Sequence, residues 1–277
     1  MTSQKTGRMD DGRVKLVIFD WAGTTVDFGC QAPTLAFREI FAHQGVPISA
    51  AQAREPMGLT KRAHIQAICR MPEVAAAWKE RHGQEVTEQA IDRMYEEFQP
   101  RLLEALPQSA QLIPGTIDVV QGLQARRVLI GSTTGYFLEA LERLLEEAAR
   151  QGYVPDSSIC ATQVPEGRPA PWMIYETMRN TGVYPPQAVV KVGDTVPDIE
   201  AGLNAGVWTV GVALTGNEMG LSQDDLDALD EAARAKKADA ARERLSQSGA
   251  HIVLDSIEQV LPALNAIEAR LAHGEKP

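Results

Sequence analysis

Apolar residues follow two different rhythms along the chain. Short runs rich in Val and Ile, each bounded by turn residues, predict buried β-strands. Between these runs, apolar residues recur at the spacing of one helix face. Strands that alternate with helices indicate a parallel sheet covered on both faces, so we predict an α/β fold. The predicted strands are VKLVIFD (14–20), RRVLIGS (126–132), SSICAT (157–162), AVVKVGD (188–194), VWTVGVA (207–213) and HIVLD (251–255). The helices predicted between and after them cover 115–124, 136–152, 169–182, 196–206 and 256–272.

Residues 31–106 interrupt this alternation, because every strong apolar pattern there is helical. The first pattern has Pro33 near its start and Gly45 beyond its end, as expected for a helix. Pro100 should bend or divide the last one, since proline removes a helical hydrogen bond. The helices predicted in this stretch cover 32–45, 60–71 and 87–106.

The change of rhythm predicts the domain organisation. An all-helical block that follows the first strand is best explained as a cap inserted into the α/β core. The predicted parts are a flexible polar extension (1–12), a core domain (13–30 and 107–277) and an α-helical cap domain (31–106). Residues 221–247 are highly charged and predict a pair of surface helices, with a partner-binding element as the alternative.

The acidic balance of the chain limits its expected ligands. The 277 residues include 27 Lys and Arg against 37 Asp and Glu, which gives a net charge of -10. Nucleic acids and anionic membranes attract cationic surfaces, so we expect neither as a partner. A small phosphate-bearing ligand is not excluded, because a few local donors and a metal ion outweigh the global field.

The cysteines and the hydropathy indicate the compartment. Cys30, Cys69 and Cys160 are odd in number and share no close spacing, which argues against a disulfide framework or a zinc site. No stretch approaches the roughly 20 apolar residues that span a bilayer. We therefore expect a cytoplasmic protein.

Polar residues follow four of the predicted strands. In an open α/β sheet, ligands bind outside the carboxyl ends of the strands. Carboxylates, hydroxyls and a guanidinium together suit a phosphoryl group with Mg²⁺. Taken singly, Asp20, Asp194 and Asp198 could instead cap helices. The four segments are Asp20, STTG (132–135), EGRP (166–169) and GDTVPD (193–198).

These segments carry a family resemblance. DWAGTT, STTG, the arginine of GRP and GDTVPD, in this order and with a helical insert after the first, resemble the four motifs of the haloacid dehalogenase superfamily. Within it, longer segments such as PMGLTKRAH (56–64) resemble the phosphonoacetaldehyde hydrolase family, from Lys15 to the last helix. The resemblance implies a Rossmann-like parallel sheet core with an inserted α-helical cap domain.

The resemblance also implies a nucleophile and a metal site. Asp20 is the implied nucleophile, and its second oxygen binds Mg²⁺. The backbone carbonyl of Ala22 and the carboxylate of Asp194 are the other implied ligands. Thr195 and Asp198 are expected to orient these groups without binding the ion.

The phosphoryl oxygens are expected to bind a hydroxyl, an amide and an arginine. Among the three hydroxyls of STTG we favour Thr134, while Ser132 and Thr133 remain open. The Gly135 amide is the second donor. Arg168 stands where most members of the superfamily have a lysine, and its fork suits a phosphonate dianion; a surface salt bridge is the alternative.

Lys61 is the family's implied Schiff-base residue, although its position alone would suggest a helix-surface lysine. To condense with an aldehyde it must be a free amine, so its pKa must be lowered by burial. His64 lies three residues later on the same helix face and is the expected proton carrier, or else a surface histidine. The other residues expected to shape the substrate pocket are Cys30, Met57, Gly58 and Tyr136.

The implied reaction is the hydrolysis of phosphonoacetaldehyde, a small-molecule phosphonate, by a homodimeric enzyme. Ala22 supports this reaction, because related phosphatases and phosphomutases carry an acidic residue there to protonate an ester oxygen. A phosphatase or phosphomutase is the first alternative, and a non-catalytic phosphate-binding module is the second. The apolar face of the first cap helix fits either a dimer contact or a buried cap core. Its residues are Leu35, Phe37, Ile40 and Phe41.

Overall fold

A six-stranded parallel sheet forms the centre of the protein. The computed structural model describes residues 12–277, so most of the predicted N-terminal extension lies outside the described residues. Each strand falls in a segment predicted from the sequence, and β2 runs two residues further than expected. The strands are β1 (Leu16–Asp20), β2 (Leu129–Thr134), β3 (Ser157–Cys160), β4 (Val189–Gly193), β5 (Trp208–Val212) and β6 (Ile252–Leu254).

The order of the strands creates a switch point beside β1. The sheet runs β3-β2-β1-β4-β5-β6, and each neighbouring pair is parallel. The chain therefore extends the sheet to one side of β1 first and to the other side afterwards. The crevice between the carboxyl ends of β1 and β4 is where such sheets bind ligands.

The position of β1 within the sheet explains why its residues are apolar throughout and do not alternate with polar ones. Val17 and Phe19 belong to the core cluster on one face of the sheet, whereas Leu16 and Ile18 belong to the cluster on the other. Both faces are covered, so both sets of side chains must be apolar.

Twelve α-helices accompany the sheet in the described residues. The first five lie between β1 and α6; three of them were predicted from the sequence pattern, whereas the second and the fourth were not. The helices are α1 (Gln31–His43), α2 (Ala50–Arg54), α3 (Lys61–Cys69), α4 (Pro72–His82), α5 (Glu88–Ser109), α6 (Thr116–Ala125), α7 (Leu138–Arg150), α8 (Trp172–Thr181), α9 (Val196–Ala205), α10 (Gln223–Asp227), α11 (Glu231–Gln247) and α12 (Val260–Ala272).

Of the two effects expected of Pro100, a bend or a division of the helix, division does not occur. Helix α5 is continuous from Glu88 to Ser109 and contains both Pro100 and Pro107. It packs against α1, α3 and α7, and its buried side chains lie on both sides of Pro100. This packing outweighs the lost hydrogen bond. The helix also crosses the proposed cap boundary at 106, so the division into cap and core stays a prediction.

The apolar face of α1 is mainly core. Phe37, Ile40 and Phe41 are fully buried, and only Leu35 is half exposed. Phe37 stacks on Phe98 of α5 with ring centroids 4.5 Å apart. The charged stretch 221–247 forms α10 and α11, the pair of helices predicted there. No helix within residues 12–277 has the length and apolar character of a membrane span.

We expect Phe37→Ala to lower the free energy of unfolding by about 3–5 kcal/mol, because truncation of a fully buried phenyl ring leaves a cavity. Urea denaturation measures the change. The matched control is Leu35→Ala on the same helix, which should change stability by less than about 1 kcal/mol. Equal losses in the two variants would contradict the assignment of this face to the core.

Candidate active site

The predicted site residues converge where the carboxyl ends of β1, β2 and β4 meet. Asp20 ends β1, Thr134 ends β2, and Asp194 follows the last residue of β4. Thr133 pairs with Asp20 in the register of the two parallel strands. The fold therefore brings together polar residues that lie far apart in the sequence.

Three buried carboxylates form the centre of this site. Oxygens of Asp20, Asp194 and Asp198 lie within 4.8 Å of one another. Burial raises the pKa of Asp20 more than the charge of Arg168 lowers it, and burial also raises the pKa of Asp194. Burial alone would raise the pKa of Asp198 too, but the charges of Arg168 and Lys191 outweigh it and lower that pKa.

The donor set fits a metal ion. Arg168 pairs with both Asp20 and Asp198, and Lys191 pairs with Asp198. Neither cation pairs with Asp194. Carboxylate oxygens are the ligands of hard divalent cations. A cation between Asp20 and Asp194 would offset the two negative charges that burial disfavours.

Asp194 is held in one orientation by several donors. The Asn217 backbone amide donates to its Oδ2 over 2.7 Å, and the Thr24 hydroxyl donates to its Oδ1 over 3.2 Å. The Cys30 thiol lies 3.3 Å from Oδ2. Burial raises the pKa of Cys30 well above its ordinary value, so this group is a neutral thiol that donates to the carboxylate.

Arg168 connects two of the carboxylates. Its Nη2 donates to Asp20 Oδ1 and to the Thr133 carbonyl and hydroxyl oxygens, the last two over 2.9 and 3.0 Å. Its Nη1 pairs with Asp198 Oδ1 over 3.0 Å. The Thr195 hydroxyl donates to the other oxygen of Asp198 over 2.6 Å. The guanidinium is therefore fixed next to the expected nucleophile.

The three hydroxyls of the STTG segment have different surroundings. Ser132 bonds Ser158 over 2.7 Å, and Thr133 bonds Arg168. Thr134 lines the cavity above Asp20, and its hydroxyl accepts from the Tyr136 amide over 3.2 Å. Of the three residues, Thr134 is thus the one that lines the cavity, where a hydroxyl that binds phosphoryl oxygens is expected.

A small cavity of about 20 Å³ lies over Asp20. This volume holds about one water molecule. Of the predicted site residues, Asp194, Asp198 and His64 do not line it. The lining residues are Asp20, Ala22, Cys30, Pro33, Met57, Gly58, Lys61, Thr134, Gly135, Tyr136, Arg168 and Thr195.

Two glycines allow the segment before α3 to approach the sheet edge. A Cβ atom at Gly58, where φ is +95°, would lie 2.4 Å from the Thr195 hydroxyl. A Cβ atom at Gly135 would lie 2.6 Å from the Leu59 carbonyl oxygen. A side chain at either position would push this segment away from the sheet and open the cavity.

Lys61 faces the same cavity from the first turn of α3. Its Nζ lies 3.9 Å from the Met57 sulfur, and 5.0 and 5.5 Å from the ring centroids of Tyr136 and Phe37. Its side chain is buried, not on the helix surface. Burial lowers the pKa of Lys61 to about 8, so a substantial fraction of the amine is neutral near physiological pH.

His64 is buried behind Phe37 and is not a surface histidine. Its ring stacks on Phe37 with centroids 3.8 Å apart, and its Nε2 lies 2.8 Å from the Ala53 carbonyl oxygen. A carbonyl can only accept, so Nε2 carries the hydrogen. Burial lowers the pKa of His64 well below its ordinary value. The ring does not line the cavity, which leaves its predicted role as a proton carrier without a direct contact.

Sequence reasoning missed several residues of this site, among them Lys191 and Asn217. Lys191 stands alone as a charged residue within the apolar run of β4, and that exception was the available signal. Asn217 comes several residues after the end of β5, so it does not stand out in the sequence as a strand-end residue. A lone charge inside a buried strand requires a partner, and here the partner is Asp198.

Comparison with known proteins identifies the family of the chain. A family model described as haloacid dehalogenase-like hydrolase matches residues 14–206. A phosphonoacetaldehyde hydrolase from Hahella chejuensis is 47% identical over 96% of this chain and 90% of the relative. One from Bacillus cereus is 44% identical over 92% of this chain and 97% of the relative.

Solved structures show the same fold. A phosphonoacetaldehyde hydrolase-like protein from Oleispira antarctica superposes with a TM-score of 0.93 and 41% identity, over 95% of this chain and 96% of that one. A β-phosphoglucomutase-like protein from Bacteroides vulgatus has a TM-score of 0.67 at 19% identity, over 95% of this chain and 92% of that one. The second shares the fold alone. The chain is therefore an enzyme of the haloacid dehalogenase-like hydrolases and belongs, within them, to the phosphonoacetaldehyde hydrolase family.

Proposed function

We propose that this enzyme hydrolyses phosphonoacetaldehyde to acetaldehyde and phosphate, with cleavage of the C–P bond. One observation carries the proposal: a buried lysine of lowered pKa shares a small cavity with a strand-end aspartate. The names of the relatives support the same substrate. An ester phosphatase would need neither an amine at this position nor an alanine at residue 22.

The reaction begins at Lys61. Its neutral amine attacks the aldehyde carbon, the new hydroxyl group leaves as water, and a proton taken from solvent leaves the imine protonated. The imine nitrogen is then two carbon atoms from phosphorus. It can accept the electron pair of the C–P bond when that bond breaks.

Asp20 completes the cleavage. One carboxylate oxygen attacks phosphorus while the C–P bonding pair moves into the imine and forms an enamine. Water then hydrolyses the aspartyl phosphate, which restores Asp20 and releases phosphate. Protonation of the enamine carbon and hydrolysis of the imine release acetaldehyde and restore Lys61. Because the leaving carbon is stabilised by the imine, no acid is needed at Ala22.

Arg168 and the end of β2 bind the phosphoryl group in this proposal. The guanidinium next to Asp20 offsets the negative charge of the equatorial oxygens. The Thr134 hydroxyl and the Gly135 amide supply further donors. Tyr136, Met57 and Cys30 surround the aldehyde end, whereas His64 does not line the cavity and stacks on Phe37.

We propose Mg²⁺ as the cofactor, held by Asp20, the Ala22 carbonyl and Asp194. The buried carboxylates support this set, and Asp198 is excluded because it already pairs with Arg168 and Lys191. When bound, the ion supplies positive charge to the transferring phosphoryl group. We further propose a cytoplasmic homodimer; the three buried free cysteines fit a reducing compartment.

Borohydride treatment during turnover should leave an ethyl group on Lys61, because reduction traps the product imine as a secondary amine. Peptide mass spectrometry locates the adduct. Lys61→Met should give no adduct and no phosphate release. The control Lys79→Met changes a surface lysine of α4 and should give the same adduct and the same phosphate release as the parent protein. An active preparation with an unmodified Lys61 would exclude the imine.

The pH profile should report the amine of Lys61. The lowered pKa means that its protonated, unreactive form dominates below about 8. We expect kcat/KM for phosphonoacetaldehyde to rise up to about pH 8 and then to level off. An ordinary lysine would give a rise that continues to about pH 10, and that result would contradict the proposed environment.

Metal removal should abolish turnover. EDTA is expected to stop phosphate release, and Mg²⁺ should restore it. Calorimetry should show at least about tenfold weaker Mg²⁺ binding by Asp194→Asn, since the variant loses a charged ligand. The control Asp255→Asn, which removes a carboxylate outside the cluster, should bind as the parent does. Unchanged affinity in Asp194→Asn would disprove the proposed ligand set.

A further inference from the structure

Lys191 places a buried positive charge in the middle of the sheet. It lies between Val190 and Val192 in β4, and its side chain is fully buried. Its ε-ammonium pairs with Asp198 over 2.7 Å and donates to the Val192 carbonyl oxygen over 2.9 Å. A buried ammonium is strongly unfavourable without a paired charge. Lys191 and Asp198 therefore form one electrostatic unit.

Helix α9 lies close over the stem of Lys191. A Cβ atom at Gly202 would lie 3.3 Å from the Lys191 Cβ atom and 2.4 Å from the Thr209 methyl group. Asp198 lies four residues before Gly202, on the same face of α9. Gly202 lets α9 pack directly on the sheet, and the side chain of Lys191 extends beneath this helix to Asp198.

Asp198 is the point at which two cations meet. Lys191 and Arg168 both pair with its Oδ1, over 2.7 and 3.0 Å. The Thr195 hydroxyl holds its Oδ2. Asp198 does not line the cavity, so its contacts serve the groups around the cavity and not a ligand directly.

Arg168 must serve two carboxylates at once. Its Nη1 pairs with Asp198, and its Nη2 donates to Asp20 and Thr133. With Lys191 present, two cations face two buried carboxylates. Without Lys191, a single guanidinium would face both, and Asp198 would draw it away from Asp20.

We propose that Lys191 is a positioning residue of the phosphoryl site. Its positive charge neutralises Asp198, and Asp198 in turn holds Arg168 in place. The charge of the guanidinium then remains available to the phosphoryl group that Asp20 attacks. The inference rests on the phosphoryl-binding half of the proposed function. It does not require that the leaving group be carbon.

Lys191→Met keeps the apolar stem and removes the charge. We expect inorganic phosphate, measured by calorimetry in the presence of Mg²⁺, to bind at least about tenfold more weakly. We expect kcat for phosphonoacetaldehyde to fall by a similar factor or more. The packing control is Val190→Ala, the preceding buried residue of β4. It should lower the melting temperature and change phosphate affinity by less than about twofold.

A second substitution separates charge compensation from packing. In Lys191→Met with Asp198→Asn, the carboxylate that competes with Asp20 for Arg168 is gone, so phosphate should bind at least about threefold more tightly than in Lys191→Met alone. If Lys191→Met does not fold, Lys191→Gln keeps a donor without the charge and should show the same loss and the same rescue.

Two results would overturn the inference. One is unchanged phosphate affinity in the folded Lys191 variants, and the other is a double variant that binds no better than the single one. Phosphate binding does not depend on C–P cleavage. A protein that binds phosphate as described but does not cleave phosphonoacetaldehyde would refute the proposed function and leave the role of Lys191 intact.

Discussion

The burial of three carboxylates within 4.8 Å of one another is the constraint on which the site depends. Burial disfavours their charged forms and is the main reason why the pKa values of Asp20 and Asp194 rise; the neighbouring carboxylates raise both values further. The sheet can keep these groups together only if cations lie among them. Arg168 and Lys191 supply two positive charges from the protein, and the arrangement favours a metal ion as the next. With a divalent ion added to these two cations, positive charge would exceed that of the three carboxylates, and such an excess suits a phosphonate dianion.

The end of the cavity at Lys61 is mainly apolar, in contrast to the charged end at Asp20. Lys61 lies among the rings of Phe37 and Tyr136 and the sulfur of Met57, and burial lowers its pKa to about 8. Asp20 is therefore surrounded by charge, whereas Lys61 is kept partly neutral by apolar groups. The glycines at 58 and 135 bring the two ends together by letting the inserted helices approach the sheet. A substrate with an anionic end and an aldehyde end matches this division.

Much of the fold follows from short-range pattern. The apolar runs predicted all six strands, and the rule that ligands bind at strand ends brought Asp20, Thr134 and Asp194 to one edge. What the sequence could not supply depends on contacts between distant segments. Packing against three helices keeps α5 continuous past Pro100. The orientation of the His64 ring likewise depends on a tertiary contact, because its Nε2 bonds the Ala53 carbonyl oxygen.

The central claim is that Lys61 forms its imine before Asp20 attacks phosphorus. The most direct test is borohydride trapping in Asp20→Asn, which has the lysine but lacks the nucleophile. The account predicts an adduct on Lys61 that still carries the phosphonate group, found by peptide mass spectrometry, and no release of phosphate. An adduct without phosphorus, or no adduct in a folded variant that binds the substrate, would contradict it.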